Sequence, residues 1–267
     1  MSSDIQLIAI DLDGTLVHNA REIPARNLRA LRMVMDRGVT VAIATGRMHS
    51  SARDFVERLG IPLTTPIISY NGAMVRLPDA AEPMLHVPVP PDLAARVVQH
   101  TVDERLHLNY FLDDVLYVTH VDHWARLYQS RAGNVPTPAG DLRRFHGQTP
   151  TKLLVATPPA NAAALLAREQ ALFGDQLYVT HSMPEYIEFL NPQATKGGAL
   201  AWLAEQMGLP REQTMAIGDM LNDLPMIQWA GTGVAMPRAV EAVRAAADFV
   251  PAHEEEGVAE ALEKYFA

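Results

Sequence analysis

Short apolar runs alternate with amphipathic segments in the first third of the chain. Residues 5–10 are mostly branched and apolar and have polar neighbours, which is typical of a strand buried on both faces of a parallel sheet. Residues 39–44 and 66–69 repeat this pattern. Apolar residues three and four apart predict a helix from Pro24 to about Gly38, and a second helix surrounds Phe55. This alternation predicts a doubly wound, Rossmann-like α/β core with a parallel sheet.

The pattern changes near residue 83 and resumes near residue 191. The intervening segment begins with four prolines and contains a loop rich in Pro and Gly at 133–140. Its helices are predicted near 93–98 and at 161–173, and its strands at 106–111, 115–118, 152–156, 177–180 and 186–190. After Asn191, a helix through Leu200 and a strand at 214–217 restore the first pattern. We therefore expect a core of residues 1–82 and 191–267 and an inserted α/β cap domain of residues 83–190.

Composition restricts the classes of function. The 267 residues are 48% hydrophobic and 20% charged, as in a globular protein, and their formal net charge of -9 argues against non-specific binding to nucleic acid or anionic membranes. Cysteine is absent, which excludes disulfides, thiolate metal sites and a cysteine nucleophile. No apolar run has membrane-spanning length, and the opening Met-Ser-Ser-Asp lacks the features of a signal peptide. A cytoplasmic enzyme is expected.

Two carboxylates follow the first predicted strand. Asp11 and Asp13 are two residues apart in extended chain, so both side chains can face the space beyond the strand, where open α/β sheets bind ligands. Carboxylates this close repel each other, so either one is protonated or a cation lies between them. The alternative is that Asp11 caps a turn and Asp13 is solvated. A calcium loop does not fit, because Gly14 is the fourth residue of the segment and not the sixth.

Three later segments carry further candidate chemistry. Thr45 and Gly46 follow the second strand and offer a hydroxyl and an unobstructed N–H to an anion, although a helix cap is the simpler interpretation. Lys196 begins a predicted helix, where a surface position is the usual case. Asp219 follows the strand at 214–217 and could meet Asp11 if the two strands are adjacent, which would suit Mg²⁺. His120 and His123 have the spacing of metal ligands but no third partner, so we expect them to face solvent.

These segments, in this order, resemble the four motifs of the haloacid dehalogenase superfamily. The long insert, the segment Ser69 to Ala73 and the segment Glu256 to Ala259 resemble more narrowly the Cof-type phosphatases of subclass IIB. The joint occurrence of the motifs is specific although each alone is modest evidence. The motifs are Asp11-Leu12-Asp13-Gly14-Thr15-Leu16, Thr45-Gly46-Arg47, Lys196-Gly197 and Gly218-Asp219 with Asn222-Asp223.

The resemblance implies a role for each matching residue. Asp11 would attack phosphorus and form an aspartyl-phosphate, and Asp13 would protonate the leaving oxygen and then activate water. Mg²⁺ would be held by Asp11, the backbone carbonyl of Asp13, and Asp219. The phosphoryl oxygens would be held by Thr45, Gly46, Lys196, Asn222 and the N–H of Leu12. Asp223 would support Lys196 or the metal. These roles agree with the need to cancel the repulsion between a carboxylate and a phosphate dianion.

We therefore expect an Mg²⁺-dependent phosphomonoester hydrolase for sugar phosphates or other small organic phosphates. Arg47, Asn71 and Glu188 are the candidates for contacts outside the phosphoryl group, and Glu188 could equally be a structural strand residue. One alternative is a phosphosugar mutase or phosphotransferase on the same scaffold. Another is a non-catalytic sensor of a phosphorylated metabolite, against which the acid Asp13 argues, because a sensor does not need it.

The sequence departs from the family pattern at two places. Met220 stands where members commonly have Asn or a small residue, which could alter a water near the metal but not the ligand Asp219. Pro237 and Arg238 stand in a segment whose sequence in family members is often Met-Gly-Asn-Ala, so a substrate contact by that loop is not expected.

Overall fold

The computed structural model describes residues 4–17 and 23–266. Its strands are β1 Leu7–Ile10, β2 Thr40–Ile43, β3 Ile67–Ser69, β4 Met74–Arg76, β5 Leu85–His86, β6 His107–Leu112, β7 Val115–Val118, β8 Thr137–Pro138, β9 Lys152–Ala156, β10 Tyr178–Met183, β11 Tyr186–Leu190, β12 Thr214–Gly218 and β13 Thr232–Ala235. Its α-helices are α1 Ala25–Asp36, α2 His49–Leu59, α3 Pro91–Asp103, α4 His123–Ala132, α5 Pro159–Phe173, α6 Lys196–Gln206, α7 Leu224–Trp229, α8 Glu241–Ala246 and α9 Gly257–Phe266.

The core sheet is parallel and has β1 near its centre. The strand order is β13-β12-β1-β2, and Ala9 of β1 pairs with Ala216 on one side and Ala42 on the other. A single parallel bridge between Ala44 and Ile68 continues the order to β3. Every residue of β1 is buried, as the unbroken apolar run predicted. The carboxyl ends of β1 and β12 are therefore direct neighbours.

Helices cover both faces of this sheet. Ile8 and Ile10 of β1 pack with α1, α2 and α9 on one face. Leu7 and Ala9 pack with α6, α7 and α8 on the other face. Alternate residues of one strand thus serve two separate apolar cores, which is why the strand has no polar position. The predicted doubly wound α/β fold is confirmed.

The inserted segment forms a second sheet of six strands. Its order is β10-β11-β9-β6-β7-β8, and its neighbours are antiparallel except for β7 and β8. One face packs on α3 and α5, through residues such as Val97 and Phe173. The other face, which includes Leu154 and Tyr186, packs on α4 and on residues of the core such as Tyr70. We refer to this segment as the cap.

Several details differ from the sequence predictions. Helix α4 was not predicted, and β8 lies inside the segment predicted as a loop. Strand β5 lies beyond residue 83 yet pairs with β4, which forms a hairpin with β3 around the turn Tyr70–Gly72. The division of the chain at residues 83 and 190 stays our proposal. Among the described residues, no helix has the length and apolar character needed to span a membrane.

Candidate active site

The nucleophile candidate Asp11 is tied to a buried lysine. Asp11 directly follows β1 and is 5% exposed, and its N–H donates to Ile217 O at 3.0 Å. The ammonium of Lys196, at the start of α6, is fully buried and donates to Asp11 Oδ1 at 2.6 Å and to Asp223 Oδ1 at 2.5 Å. Burial would lower the pKa of Lys196, but Asp11 and Asp223 raise it above its ordinary value. Lys196 is therefore a permanent positive charge beside Asp11.

Asp223 organises the turn that carries Asp219. Its Oδ2 accepts hydrogen bonds from the N–H groups of Asp219 at 2.9 Å and Met220 at 3.0 Å. Because Lys196 occupies its other oxygen, both carboxylate oxygens of Asp223 have donors within the protein. Met220 takes part through its backbone, which any residue at this position could supply.

The Asp219 side chain is held against the first motif. Thr15 Oγ1 donates to Asp219 Oδ1 at 3.1 Å. Gly14 has a φ of +91°, and a Cβ built at this residue would lie 2.5 Å from Asp219 Oδ2. Only glycine suits both the backbone angle and this close approach.

The site has more negative than positive formal charge and fits a divalent cation. Four carboxylates, of Asp11, Asp13, Asp219 and Asp223, face the two cations Lys196 and Arg47, so two negative charges are unbalanced. Oxygens of Asp11, Asp219 and Asp223 lie within 4.8 Å of one another. Burial raises the pKa of Asp219 to about 7, and it raises the pKa of Asp11 well above its usual value even though Lys196 opposes the shift. Hard oxygen donors with excess charge are what Mg²⁺ prefers.

Asp13 is engaged by Arg47 in a two-point ion pair. Arg47 Nε donates to Asp13 Oδ2 at 2.7 Å, and Nη2 donates to Asp13 Oδ1 at 2.5 Å. This bidentate geometry orients the carboxylate more firmly than a single contact would. Arg47 was predicted as a substrate contact, and its pairing with Asp13 was not foreseen.

The phosphate-binding candidates of the second and fourth motifs are linked through Asn71. Thr45 is 1% exposed, and its hydroxyl accepts the N–H of Arg47 at 3.2 Å. A Cβ at Gly46 would lie 2.8 Å from Asn71 Oδ1, so a side chain does not fit there. Asn222 Nδ2 donates to the same Asn71 oxygen at 2.9 Å.

Leu12 contributes no side chain to this site. That side chain is fully buried in the core cluster under the first face of the sheet. Three residues from other predictions also lie elsewhere. His120 and His123 are exposed, as expected, and the Arg238 side chain is 83% exposed and pairs with Glu254.

The cap supplies residues to the site that sequence reasoning missed. Lys152 of β9 is 1% exposed, and its Nζ donates to Gly46 O at 2.7 Å and to Glu188 Oε1 at 3.0 Å. A lysine at the start of an otherwise apolar strand was the available signal. The cleft between cap and core is lined on the cap side by Tyr128, Arg131, Ala132, Lys152, Ser182, Met183, Tyr186 and Glu188 and on the core side by Asp11, Asp13, Gly46, Arg47, Met220 and Asn222.

Comparisons with known proteins identify relatives over the whole chain. The sequence profile of the haloacid dehalogenase-like hydrolases matches residues 8–262. The chain is 32% identical to the 5-amino-6-(5-phospho-D-ribitylamino)uracil phosphatase YitU of Bacillus subtilis, over 100% of both chains. It is 31% identical to YcsE of the same species, which is named for the same activity, over 97% of this chain and 95% of that one.

A solved structure agrees with these relatives. The crystal structure of a haloacid dehalogenase-like hydrolase from Bacteroides thetaiotaomicron superimposes with a TM-score of 0.85 at 27% identity, over 98% of this chain and 100% of that one. The chain therefore belongs to the haloacid dehalogenase-like hydrolases, as its four motifs predicted, and within them it is a Cof-type phosphatase, as the insert and the segments at 69–73 and 256–259 predicted.

Proposed function

We propose that this phosphatase hydrolyses small organic phosphomonoesters with Mg²⁺, through an aspartyl-phosphate on Asp11. The observation that carries the proposal is the contact of the buried Lys196 ammonium with Asp11, 2.6 Å from Oδ1, at a strand end where Asp219 and Asp223 also converge. A carboxylate that must approach a phosphate dianion needs positive charge beside it, which Lys196 supplies in part and a cation bound by the acidic residues would complete. Mg²⁺ is the cation that we propose for the acidic cluster.

Asp11 attacks phosphorus in the proposed first step, and the bond from phosphorus to the ester oxygen breaks. Lys196 partly neutralises Asp11 before the attack and the phosphoryl oxygens during it. Asp11, the backbone carbonyl of Asp13, and Asp219 would hold a divalent cation, which would supply further charge neutralisation at those oxygens. Asn222, Thr45, Gly46 and the N–H of Leu12 complete the proposed phosphate site.

Asp13 carries the proposed proton transfers. In the first step Asp13 enters as the carboxylic acid and gives its proton to the leaving oxygen. In the second step water attacks phosphorus, the bond between phosphorus and Asp11 breaks, and the Asp13 carboxylate accepts the proton of the water. The two hydrogen bonds from Arg47 orient the carboxylate form of Asp13, which is the form that accepts this proton. The cap covers the site on the side of the leaving group, so it both excludes bulk water and selects the substrate.

The named relatives suggest which phosphate ester is the first candidate substrate. Two relatives above 30% identity are 5-amino-6-(5-phospho-D-ribitylamino)uracil phosphatases, so this ester is our first candidate, followed by sugar phosphates. Arg47 lines the cleft and stays the candidate contact outside the phosphoryl group. Asn71 is fully buried, and Glu188 accepts three hydrogen bonds, which favours the structural alternative for Glu188. A cytoplasmic location stays a prediction from the sequence.

Phosphate release from a panel of esters tests the proposal. We expect release with Mg²⁺, none with EDTA, and none from Asp11→Asn. The matched control is Asp54→Asn, which changes an exposed aspartate of α2 and should leave release unchanged. Phosphoryl transfer to an added sugar in place of water would favour a phosphotransferase. A folded parent chain that binds the esters without turning over any of them would contradict the proposal.

A further inference from the structure

The loop that carries Gly46 is held at three consecutive carbonyls. On either side of Gly46, the core supplies the donors: the N–H of Asn71 donates to Thr45 O at 3.0 Å, and the N–H of Tyr70 donates to Arg47 O at 2.9 Å. Both donors belong to the turn between β3 and β4. The two flanking carbonyls are therefore held whether or not the cap lies on the core.

The middle carbonyl depends on the cap. Gly46 O accepts its hydrogen bond from Lys152 Nζ at 2.7 Å, and Lys152 belongs to the cap strand β9. This carbonyl is part of the peptide that joins Gly46 to Arg47. The Arg47 N–H of the same peptide donates to Thr45 Oγ1 at 3.2 Å, so the core holds this peptide at its N–H and the cap holds it at its carbonyl.

The same ion pair also reaches the fourth motif. Glu188 Oε1 accepts from Lys152 and, at 2.6 Å, from Ser182 Oγ, and Glu188 Oε2 accepts from Asn71 Nδ2. Asn71 in turn holds Asn222 through its Oδ1 at 2.9 Å. Both phosphate-binding segments of the core are thus connected to one buried charge pair in the cap.

Stability alone is a poor explanation for this pair. Lys152 and Glu188 are each 1% exposed, and buried ion pairs often stabilise a fold no more than apolar residues of the same size would. Burial also lowers the pKa of Lys152, which shows that its charge is held against a desolvation cost. What the pair adds over apolar side chains is its hydrogen bonds to the core.

We propose that Lys152 is a positioning residue through which the cap orients the Gly46 peptide. Glu188 holds Asn71 and, through Asn71, also Asn222. The phosphate site is therefore complete only when the cap lies on the core. The inference rests on the proposed function of the site. Its consequence is that a leaving group that favours this cap position also improves phosphate binding and turnover.

Three variants separate positioning from stability. Lys152→Met removes the donors but leaves Glu188 as an unpaired buried charge. Lys152→Met with Glu188→Gln removes both charges and keeps an acceptor for Asn71. Glu169→Gln is the control, because Glu169 is a fully buried cap carboxylate on α5 that accepts from Arg168 Nη2 at 2.9 Å and from His100 Nε2 at 3.1 Å. Each variant is compared with the parent by urea unfolding, by calorimetric binding of inorganic phosphate with Mg²⁺, and by kcat and KM.

We expect Lys152→Met to unfold at lower urea concentration and the double variant to recover most of that loss. Both should bind inorganic phosphate about tenfold more weakly. Both should also lose kcat by about 10- to 100-fold, because a misplaced binding group is felt mainly in the transition state. Glu169→Gln should lose stability while phosphate binding and kcat stay those of the parent.

Recovery of phosphate binding and kcat together with stability in the double variant would overturn the inference, since the pair would then act only on folding. So would a parent chain that binds no inorganic phosphate. A parent that binds phosphate but hydrolyses no ester would instead contradict the proposed function, and the calorimetric comparison would still decide the role of Lys152.

Discussion

Replacing Gly14 with alanine is expected to disable the site through Asp219. A Cβ at residue 14 would lie 2.5 Å from Asp219 Oδ2, whereas carbon and oxygen in ordinary contact are about 3.4 Å apart. The carboxylate therefore has to move by about 1 Å, away from the position where Asp11 and Asp219 face each other. A displacement of this size costs about 100-fold in rate, or about 3 kcal/mol of transition-state stabilisation.

The same substitution also strains the backbone, and this effect must be separated from the clash. Gly14 has a φ of +91°, where an alanine costs roughly 1–2 kcal/mol in the folded state. The reduced freedom of the unfolded chain returns about 0.4–1 kcal/mol of that. Gly38→Ala is the matched control, because Gly38 has a φ of +85° and a Cβ at this residue would have no atom of the described residues within 4 Å beyond its chain neighbours.

The measurements are urea unfolding and kcat/KM as a function of Mg²⁺ concentration. Both variants should lose the stability that the unfavourable φ costs, and Gly14→Ala should lose at least as much as Gly38→Ala because it also displaces Asp219. Only Gly14→Ala should lose activity and require more Mg²⁺ for half-maximal rate. Activity and Mg²⁺ dependence like those of the parent in Gly14→Ala would refute the placement of Asp219 beside the metal.

Three further predictions address the charges of the site. Lys196→Met should abolish phosphate release and lower the free energy of unfolding by about 3–5 kcal/mol, because it leaves Asp11 and Asp223 buried without their cation. Urea unfolding measures the loss of stability, and an unchanged free energy of unfolding would contradict the prediction. In the metal-free protein the pKa of Asp219 is raised to about 7 from an ordinary 3.8, so between these pH values the folded state binds a proton that the unfolded state does not. The stability that Asp219 contributes is therefore fully present below about pH 4 and is lost as the pH rises through 7. Melting temperatures measured against pH should show this decline with EDTA and a smaller one with saturating Mg²⁺; equal slopes would argue against Asp219 as a ligand. Asp13→Asn should lower turnover by about 10²–10⁴-fold while inorganic phosphate still binds, and stopped-flow phosphate release with calorimetry distinguishes this from a general loss of the site.

Most of the core and the positions of its candidate site residues could be predicted because the signals are local. The buried strands of the core are mostly apolar runs; Asp11 and Asp219 follow their strands directly, and Thr45 follows β2 after one residue. In the cap the signals were weaker: α4 has only two buried residues and β8 has two residues in all, so neither has the periodicity that identifies an element.

The roles of the polar cap residues could not be read in this way. The sequence left the role of Glu188 open between a substrate contact and a structural residue. Its hydrogen-bond partners Lys152, Ser182 and Asn71 come from three different elements. A strand pattern shows which residues alternate, but not which atoms of distant segments they meet. The bidentate pairing of Arg47 with Asp13 was missed for the same reason.

The sequence by itself determined the α/β core, the interruption by an insert, and the residues at the strand ends, because hydrophobic periodicity and turn residues act over a few positions. Only the tertiary structure decided that β12 lies beside β1, which brings Asp219 to Asp11 across the chain, and that Lys152 reaches Gly46, 106 residues away. Strand order and the position of the cap depend on how whole faces of apolar side chains pack together. That packing is a property of the folded chain and has no counterpart in any short segment of it.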